Sequence, residues 1–358
     1  MKAVVVTPLQ AGSGRVTEVP DPEMEAGEVL VRVRQVGICG TDHEILNGQY
    51  GTAPEGDDYL IIGHESLGQV EEVGANVKDF SPGDWVVAMV RRPDPVPCRN
   101  CAANEWDMCL NGLFLERGIN GRHGYLAELY AEQPRFLVKV PERVASFAVL
   151  LEPMTVVEKA VDQIWKIQSR LFWEPERAIV LGAGTIGLLA GALLRLRGID
   201  VYFYNRAEKG AKSDIAEAIG ATYIPASQSK LSDLPDQIGN VDIVIEATGY
   251  SPLAFEAMDV IGKNGIVCLT GVSGGDRPRT IDADHINLKM VLSNNVVFGT
   301  VNANPRHFQM GARHLVMIDA LMPGLLSRMI TDRIPLDDGL LQALASPSDG
   351  IKRVVTVS

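Results

Sequence analysis

The first part of the chain contains short apolar runs that are rich in valine and are separated by segments with glycine, asparagine and proline. Short apolar runs bounded by such segments are typical of β-strands. The runs lie at residues 2–7, 29–36, 67–73, 85–90 and 136–140. The pattern predicts a small closed or partly open β-barrel whose loops carry the polar residues.

From residue 178 onward, buried apolar runs alternate with segments of helical character. Strands are predicted at 178–181, 201–204, 222–224, 241–246, 266–270 and 296–300. Helices are predicted at 151–168, from the glycine turn at 182–187 to 197, and at 209–219, 252–261 and 283–292. Six strands with crossover helices predict a doubly wound parallel sheet of the α/β class.

Composition and charge narrow the class of protein. The chain has 358 residues, 46% of them apolar and 22% charged, with a net charge of −12. This length predicts two domains, and this composition is typical of a soluble globular protein. The acidic charge argues against nucleic acid or an anionic membrane as a partner, since both are bound by basic surfaces. The run 178–194 is too short and too rich in glycine to be a membrane span.

The cysteines and the first residues bear on the compartment. There are five cysteines, and this odd number, three of them clustered between 98 and 109, fits metal ligation better than a disulfide framework. Residues 1–8 enter a strand without a cleavage-site pattern, so no signal peptide is predicted. Both observations predict a cytoplasmic protein.

A glycine turn follows the first strand of the predicted parallel sheet and opens a helix. Gly182 allows the tight turn, Gly184 lets the backbone approach a pyrophosphate, and Gly187 permits close packing of the helix. The helix begins near Thr185 and Ile186, where the positive end of its dipole receives phosphates. The turn therefore predicts dinucleotide binding.

The end of the second strand indicates which dinucleotide is bound. An acidic residue there would bind the ribose 2′-hydroxyl of NAD, whereas this chain has Asn205 and Arg206, with Lys209 nearby. A neutral side chain does not repel a 2′-phosphate, and a guanidinium can bind it through two hydrogen bonds. NADP is therefore favoured, and NAD remains an alternative. The other interpretation of Arg206 is a solvated surface charge.

Cys39, His64 and Glu65 provide a thiolate, an imidazole and a carboxylate, the kinds of ligand that zinc binds. The intervening loop at 47–58 would let them meet. Taken singly, such a cysteine is usually a small buried hydrophobe, and such a histidine is usually satisfied by hydrogen bonds. Taken together, the three side chains predict a catalytic zinc site.

Two further features could concern a metal. Cys98, Cys101 and Cys109 predict a structural zinc site, with Asp94 as the fourth ligand, or else a loop that has lost metal affinity. Glu152 opens the helix predicted at 151–168, where a carboxylate is favoured by the helix dipole alone. It could instead be a mobile fourth ligand of the catalytic metal or a general base.

The chain resembles the zinc-dependent medium-chain alcohol dehydrogenases, and within them the archaeal-type glucose dehydrogenases, along its full length. Besides the glycine turn with Asn205-Arg206, the resemblance is carried by the segments Gly40-Thr41-Asp42-His43-Glu44, Gly63-His64-Glu65, Leu115-Glu116-Arg117-Gly118, Glu152-Pro153-Met154, Glu246-Ala247-Thr248-Gly249 and Gly299-Thr300-Val301-Asn302. One departure is Pro95, which stands where the family pattern would place the first of four lobe cysteines.

This resemblance implies a fold of two domains. A GroES-like β-barrel catalytic domain would span 1–158, with a lobe loop at 93–111. A six-stranded Rossmann domain would span 159–300, and 301–358 would return to the catalytic domain. Pairing of subunits through an edge strand at 296–300 would give a homodimer or homotetramer.

The resemblance also implies roles for individual residues. The catalytic zinc would be held by Cys39, His64 and Glu65, with Glu152 as an additional ligand. The substrate-binding residues would be Thr41, Glu116, Glu152 and Asn302. The cofactor would also contact Thr248, Thr270, Val272 and Asn302. The proton would leave through Thr41, with His43 or Glu152 as the base.

The implied reaction is the oxidation of an aldose, D-glucose being expected, at C1 to the aldonolactone with hydride transfer to NADP or NAD. A polyol or secondary-alcohol dehydrogenase with the same mechanism is the alternative among enzymes. A nonenzymatic dinucleotide-binding protein is the alternative of another class, and the intact set Cys39, His64 and Glu65 argues against it.

Overall fold

The computed structural model describes residues 1–274, 278–346 and 348–358, which form two compact units. The first unit contains Met1–Thr155, Asn302–Val316 and Ile330–Ser358. The second contains Val156–Val301 and Met317–Met329. Each unit has its own sheets and its own buried apolar core.

The first unit is mainly β-structure up to residue 150. Its strands are β1 (Lys2–Val6), β2 (Arg15–Glu18), β3 (Val29–Ile38), β4 (Leu60–Ile61), β5 (Glu65–Val73), β6 (Trp85–Ala88), β7 (Arg91–Arg92), β8 (Leu115–Arg117), β9 (Gly121–Arg122), β10 (Leu129–Glu132) and β11 (Leu137–Lys139). Its helices here are α1 (Gly40–Leu46) and α2 (Arg99–Ala102), with short 3₁₀ turns at Trp106–Met108, Pro134–Phe136, Glu142–Val144 and Ala148–Leu150.

The chain then forms a strand and helix alternation. Helix α3 (Leu151–Gln168) leads to the strands β12 (Arg177–Leu181), β13 (Asp200–Asn205), β14 (Thr222–Pro225), β15 (Ile243–Glu246), β16 (Ile266–Leu269) and β17 (Val296–Gly299). The helices are α4 (Thr185–Leu196), α5 (Ala211–Ala218), α6 (Leu234–Ile238), preceded by a 3₁₀ turn at Leu231–Asp233, α7 (Ser251–Val260) and α8 (Ala283–Leu292).

The last segment contributes to both units. Its elements are α9 (Pro305–Leu321), α10 (Leu325–Met329), β18 (Ile330–Pro335), α11 (Leu340–Ala345) and β19 (Lys352–Thr356). The units change at 155 and 301, close to the predicted boundaries at 158 and 300, and 317–329 belongs to the second unit. The physical reason is that α10 buries Leu325, Leu326 and Met329 and packs against α5.

The sheet that contains β3 is the centre of the first unit. Its strand order is β11-β6-β5-β3-β19-β18, and β10 also pairs with β3. Alternate residues Val29, Val31 and Val33 are fully buried, as expected for a strand that has one face on the core. The valine-rich runs predicted as strands thus form the barrel-like unit.

The second unit is a parallel sheet with the order β14-β13-β12-β15-β16-β17. This is the strand order of doubly wound dinucleotide-binding folds, in which the order of the strands along the sheet reverses between β12 and β15. All six predicted strands are present, each within two residues of its predicted ends. The α/β fold class is therefore confirmed. Within the described residues, no helix has both the length and the apolar character that a membrane span needs.

Candidate active site

Three elements of the first unit bring Cys39, His64 and Glu65 together. Cys39 follows β3 and is the N-cap of α1, while Glu65 is the first residue of β5. Antiparallel pairing of β3 with β5 places Glu65 opposite Gly37. The ligand atoms of the three side chains lie within 4.8 Å of one another, and Cys39 Sγ is 3.3 Å from His64 Nε2.

Gly37 leaves the space that the Glu65 carboxylate occupies. A Cβ atom at residue 37 would lie 2.0 Å from Glu65 Oε2 and 2.8 Å from the Cε atom of Lys352. Both distances are shorter than non-bonded carbon contacts allow. A residue with a side chain at this position would therefore displace either the carboxylate or the lysine.

Lys352, on β19, is a buried cation beside the cluster. Its ammonium group pairs with Glu65 and donates a hydrogen bond to the carbonyl oxygen of Ile38 at 3.0 Å. Burial acts to lower the pKa of Lys352, but the negative charges of Glu65 and Cys39 outweigh it, so the pKa is raised. Lys352 therefore stays charged and neutralises part of the negative charge of the cluster.

Asp42 orients the histidine of the cluster. It is fully buried on α1, accepts a hydrogen bond from the Cys39 backbone N–H at 2.9 Å, and has Oδ1 3.6 Å from His64 Nδ1. Burial opposes charge on both groups, yet the pKa of Asp42 is lowered and that of His64 is raised well above its ordinary value. Cys39 and Asp42 both favour the His64 cation, so the site holds more negative charge than its own groups neutralise.

The donor set fits a zinc ion. Thiolate, imidazole and carboxylate are its usual ligands, and three protein ligands leave a position open in a tetrahedral site. A carboxylate behind the second nitrogen of a metal-bound imidazole is the usual supporting contact. His64 Nδ1 and Asp42 Oδ1 are buried 3.6 Å apart, and neither atom has a hydrogen bond to another group in the described residues. This pairing fits the supporting contact. Cys39, His64 and Glu65 would hold the ion, and Asp42 would orient His64.

Glu152, at the start of α3, is buried near this cluster. Burial raises its pKa to about 7, and the negative charge of Glu65 acts in the same direction. Glu152 is not one of the three side chains whose ligand atoms lie within 4.8 Å of one another. Its role as an additional ligand or a base therefore stays a prediction.

Thr41 and His43 lie on α1 and are half-buried. This helix precedes the predicted loop at 47–58, and the Asp42 carboxylate stabilises its first turn by accepting the N–H of Cys39. The position of Thr41, two residues after Cys39, is compatible with a hydroxyl at the metal site. The proton-transfer roles of Thr41 and His43 stay predictions.

Glu116, on β8, forms a second buried polar group. It accepts hydrogen bonds from Arg91 Nε at 3.0 Å and from Asn302 Nδ2 at 2.7 Å, and it forms an ion pair with Arg91. Asn302 has a positive φ of 60°, which an asparagine tolerates better than most residues. The structure thus brings together two residues that the sequence predicts as sugar contacts, and it adds Arg91.

The lobe brings three of the four predicted structural-zinc ligands together. The sulfur atoms of Cys98, Cys101 and Cys109 lie within 4.8 Å of one another. The carboxylate of Asp94 instead accepts hydrogen bonds from Val96 N at 2.8 Å and from Asn111 Nδ2 at 2.7 Å. Asp94 is not among the side chains whose ligand atoms lie within 4.8 Å of one another, and its role as the fourth lobe ligand stays a prediction.

The glycine turn of the second unit has the predicted geometry. Gly182 has a positive φ of 98°, and a Cβ atom at Gly187 would lie 2.1 Å from the Gly182 carbonyl oxygen. Gly184 is the N-cap of α4, which begins at Thr185 and continues through Ile186. Only glycine permits this close approach of helix and turn. The first turn of α4 therefore exposes backbone N–H groups suited to phosphate.

Asn205 supports the turn, whereas Arg206 is exposed. Asn205 Oδ1 accepts a hydrogen bond from Ala183 N at 3.3 Å, and its Nδ2 donates to the Tyr223 hydroxyl at 2.6 Å. The side chain of Arg206 has no ion pair among the residues that the structure describes. Contact of Arg206 with a 2′-phosphate stays a prediction.

Thr248 and Thr270 follow β15 and β16 at the same edge of the sheet as the glycine turn. Glu246 accepts hydrogen bonds from Thr248 N at 2.6 Å, and its carbonyl oxygen accepts one from Thr270 Oγ1 at 2.7 Å. Ligands of such sheets bind at this carboxyl edge, beside the reversal of strand order. Val272 is 78% exposed. Cofactor contacts of these residues stay predictions.

Comparisons with known proteins agree with this arrangement. Residues 25–142 match the model of the alcohol dehydrogenase GroES-like domain, and residues 145–357 match that of the glucose dehydrogenase C-terminus. The chain is 45% identical to a glucose 1-dehydrogenase of Methanocella arvoryzae over 358 residues, which is 100% of this chain and 99% of the relative. It is 40% identical to one of Thermoproteus tenax over 100% of this chain and 99% of the relative.

A solved structure is similar over the whole chain. It is a Haloferax mediterranei glucose dehydrogenase in complex with NADP, Zn and gluconolactone, with a TM-score of 0.90 and 34% identity over 100% of this chain and 99% of that chain. The GroES-like unit and the Rossmann sheet define a medium-chain dehydrogenase. Within this class, the chain belongs to the glucose dehydrogenase family. The resemblance stated from the motifs is thereby confirmed.

Sequence reasoning missed several residues of the site. Asp42 stands three residues after Cys39, a spacing at which a carboxylate can accept the N–H of a helix N-cap, and this signal could have identified it. Gly37, Arg91 and Lys352 have no such local signal. Their roles depend on pairing between strands that are distant in the sequence.

We expect Asp42→Asn to weaken zinc binding by about 10- to 100-fold, because the amide supports a metal-bound imidazole less well than the carboxylate does. The measurement is competition with a zinc chelator, made in a Cys101→Ser background so that the lobe thiols contribute less to the measured zinc binding. Asp79→Asn, which removes an exposed carboxylate of the same unit, is the control. Equal zinc affinity of the two variants would contradict the role of Asp42.

Proposed function

We propose that this protein oxidises an aldose, with D-glucose as the expected substrate, at C1 to the aldonolactone and transfers the hydride to NADP. The observation that carries the proposal is the cluster of Cys39, His64 and Glu65 in a chain that aligns along its full length with glucose 1-dehydrogenases. The similar Haloferax structure, which is in complex with NADP, Zn and gluconolactone, supports the same reaction.

The residues of the cluster have separate tasks in this reaction. Zinc held by Cys39, His64 and Glu65 would supply a Lewis acid that lowers the pKa of the C1 hydroxyl. Thr41 would relay the hydroxyl proton, receiving it on its oxygen while its own proton leaves to His43 or Glu152 and then to solvent. The hydride of C1 would go to the nicotinamide ring, and the C1–O bond would become the lactone carbonyl.

Sugar selection is assigned to the group around Glu116. Arg91 and Asn302 both donate to one oxygen of this carboxylate, which holds the side chain in a single orientation. An oriented carboxylate and an amide are suited to hydroxyl groups, which both donate and accept hydrogen bonds. This arrangement favours a polyhydroxylated substrate and is compatible with glucose, galactose or xylose.

NADP is the favoured cofactor because of Arg206. The guanidinium is exposed after β13, no acidic residue stands at the end of that strand, and Asn205 is neutral. A guanidinium binds a phosphate through parallel hydrogen bonds. NAD remains the alternative cofactor, since the glycine turn contacts the part that both dinucleotides share.

A homodimer or homotetramer is proposed through β17 and α8. β17 is the edge strand of the parallel sheet, and such an edge is usually paired or covered. None of the residues of α8 is buried, and Leu288, Val291 and Leu292 are 59%, 66% and 72% exposed. An apolar helix beside an open strand edge fits a second copy of the chain, which would cover both.

Two further assignments complete the proposal. All five cysteines are free thiols, which supports a reducing compartment such as the cytoplasm. The thiol cluster of Cys98, Cys101 and Cys109 supports a second, structural zinc, for which the chain supplies three ligands.

The first prediction concerns the reaction. We expect the zinc-loaded protein to produce NADPH with D-glucose, and Cys39→Ala to lower kcat by about 10³-fold because the Lewis acid is lost. Cys268→Ala, which removes a buried thiol of β16 in the second unit, is the control. NADPH absorbance is recorded with glucose, galactose, xylose and a polyol. Oxidation of the polyol alone would contradict the aldose proposal, and full activity of Cys39→Ala would contradict the zinc site.

The second prediction concerns the cofactor. We expect Arg206→Ala to raise KM for NADP by about tenfold or more, because charge-assisted hydrogen bonds to the 2′-phosphate are lost. KM for NAD, which lacks this phosphate, should stay unchanged and serves as the control within the same variant. Steady-state kinetics with both cofactors at saturating sugar provide the measurement. Equal changes in KM for NADP and for NAD would show that Arg206 does not bind the 2′-phosphate.

The third prediction concerns assembly. We expect the double variant Leu288→Glu and Leu292→Glu to shift the protein toward the monomer, because charges on this face repel across a two-fold axis. Asn287→Glu, on the same helix, is the control for added charge. Size-exclusion chromatography with light scattering gives the mass. An unchanged mass of the double variant would place the subunit interface elsewhere.

A further inference from the structure

A cavity of about 450 Å³ lies in the first unit between the lobe and the strands that support it. Its lining includes Arg92, Arg122 and Arg135 together with Trp106. The volume is within the usual range for small-molecule sites. The cavity lining does not include Cys39, His64, Glu65 or Glu116, so it is separate from the catalytic zinc cluster and the sugar-binding group, although Cys101 of the lobe thiol cluster lines it.

Three guanidinium groups share a single carboxylate beside this cavity. Arg92 and Arg117 donate hydrogen bonds to Glu132, which is fully buried, and Arg122 NH2 lies 3.9 Å from Glu132 Oε1. The three guanidinium groups carry a charge of +3, and the carboxylate carries −1. Burial lowers the pKa of Arg122, and repulsion by Arg117 acts in the same direction. The group therefore carries uncompensated positive charge in a protein whose net charge is −12.

Several donors around the cavity have no acceptor. Arg92 Nε, Arg122 Nε and Trp106 Nε1 are buried atoms without a hydrogen-bond partner in the described residues. Arg92 is 3% exposed and Trp106 is 6% exposed. A buried donor without a partner is unfavourable, and native structures usually provide one. Asp94 also lines the cavity, but its oxygens already accept from Val96 and Asn111.

We propose that this cavity binds the oxyanion group, phosphate or carboxylate, of a small metabolite. Arg92 and Arg122 neutralise the charge, Trp106 adds a donor, and Arg135 extends the positive surface on the exposed side. Guanidinium groups bind such oxygens through parallel hydrogen bonds. The unpartnered Nε atoms are themselves buried, so bound oxygens would meet them after a small rotation of the side chains. The proposal does not depend on the sugar or the dinucleotide that the protein uses.

The cavity is connected to the sugar-binding group through two neighbouring residues. On β7, Arg91 pairs with Glu116, and the next residue, Arg92, pairs with Glu132. Successive side chains of a strand point to opposite faces. An oxyanion bound at Arg92 would therefore act on the strand that orients Glu116, and sugar kinetics provide a second readout.

The test is calorimetric titration of the zinc-loaded protein with inorganic phosphate and, separately, with succinate. Saturating NADP occupies the dinucleotide site throughout, and chloride is held constant. We expect one saturable site per chain, and the tighter of the two ligands identifies the class. Arg122→Gln and Trp106→Phe should each weaken binding, the former by about tenfold. Arg143→Gln, which removes an exposed arginine of the same unit, is the control and should bind as the parent does.

Absence of saturable binding by both ligands would overturn the proposal, and so would binding that Arg122→Gln and Trp106→Phe leave unchanged. Should Arg122→Gln fail to fold, as judged by circular dichroism, the phosphate and succinate affinities of Trp106→Phe and of the exposed variant Arg135→Gln test the proposal instead. A change in KM for the sugar with bound phosphate, lost in Arg135→Gln, would support coupling through β7. Binding of phosphate is independent of NADPH formation, so failure of either proposal leaves the other testable.

Discussion

The space left by Gly37 is the constraint on which the candidate active site depends. Glu65 faces this glycine across the pairing of β3 and β5, and Lys352 reaches the same space from β19. The cation is contributed by the last strand of the chain, some 290 residues after the carboxylate that it pairs with. Because β19 pairs with β3, the site is complete only when the carboxyl-terminal strand is in place.

The electrostatics of the site follow from this packing. Asp42 and Glu65 are buried carboxylates, Cys39 adds a thiol, and Lys352 is the buried cation whose ammonium pairs with one of them. Burial of charge is costly unless the charges are matched, so a site with surplus negative charge suits a divalent cation. The pKa of His64 is raised for the same reason, since its proton stands where positive charge is favoured. Lys352 limits the surplus without removing it.

Much of this could be predicted from the sequence, because the informative signals are local. Apolar runs predicted the six strands of the parallel sheet and five of the strands of the first unit, the glycine spacing predicted the turn at Gly182, and ligand chemistry predicted Cys39 with His64 and Glu65. Features that depend on distant pairing were not predictable. Lys352 looks like any charged residue on a strand, and Asp94 was chosen by spacing although its oxygens are used by other donors. Two changes between the units lie inside the helices α3 and α9, where composition does not change.

The two arginines of β7 show how one short strand serves two buried polar groups. Arg91 fixes Glu116, which must present a defined orientation if it is to distinguish hydroxyl groups. Arg92 belongs to the other face, where one carboxylate is shared by three guanidinium groups. A buried ion pair with a missing countercharge tolerates little movement, since any shift exposes unpaired charge to an apolar medium. The orientation of Glu116 therefore depends on how well the charge around Arg92 is balanced, although the two side chains lie on opposite faces of the strand.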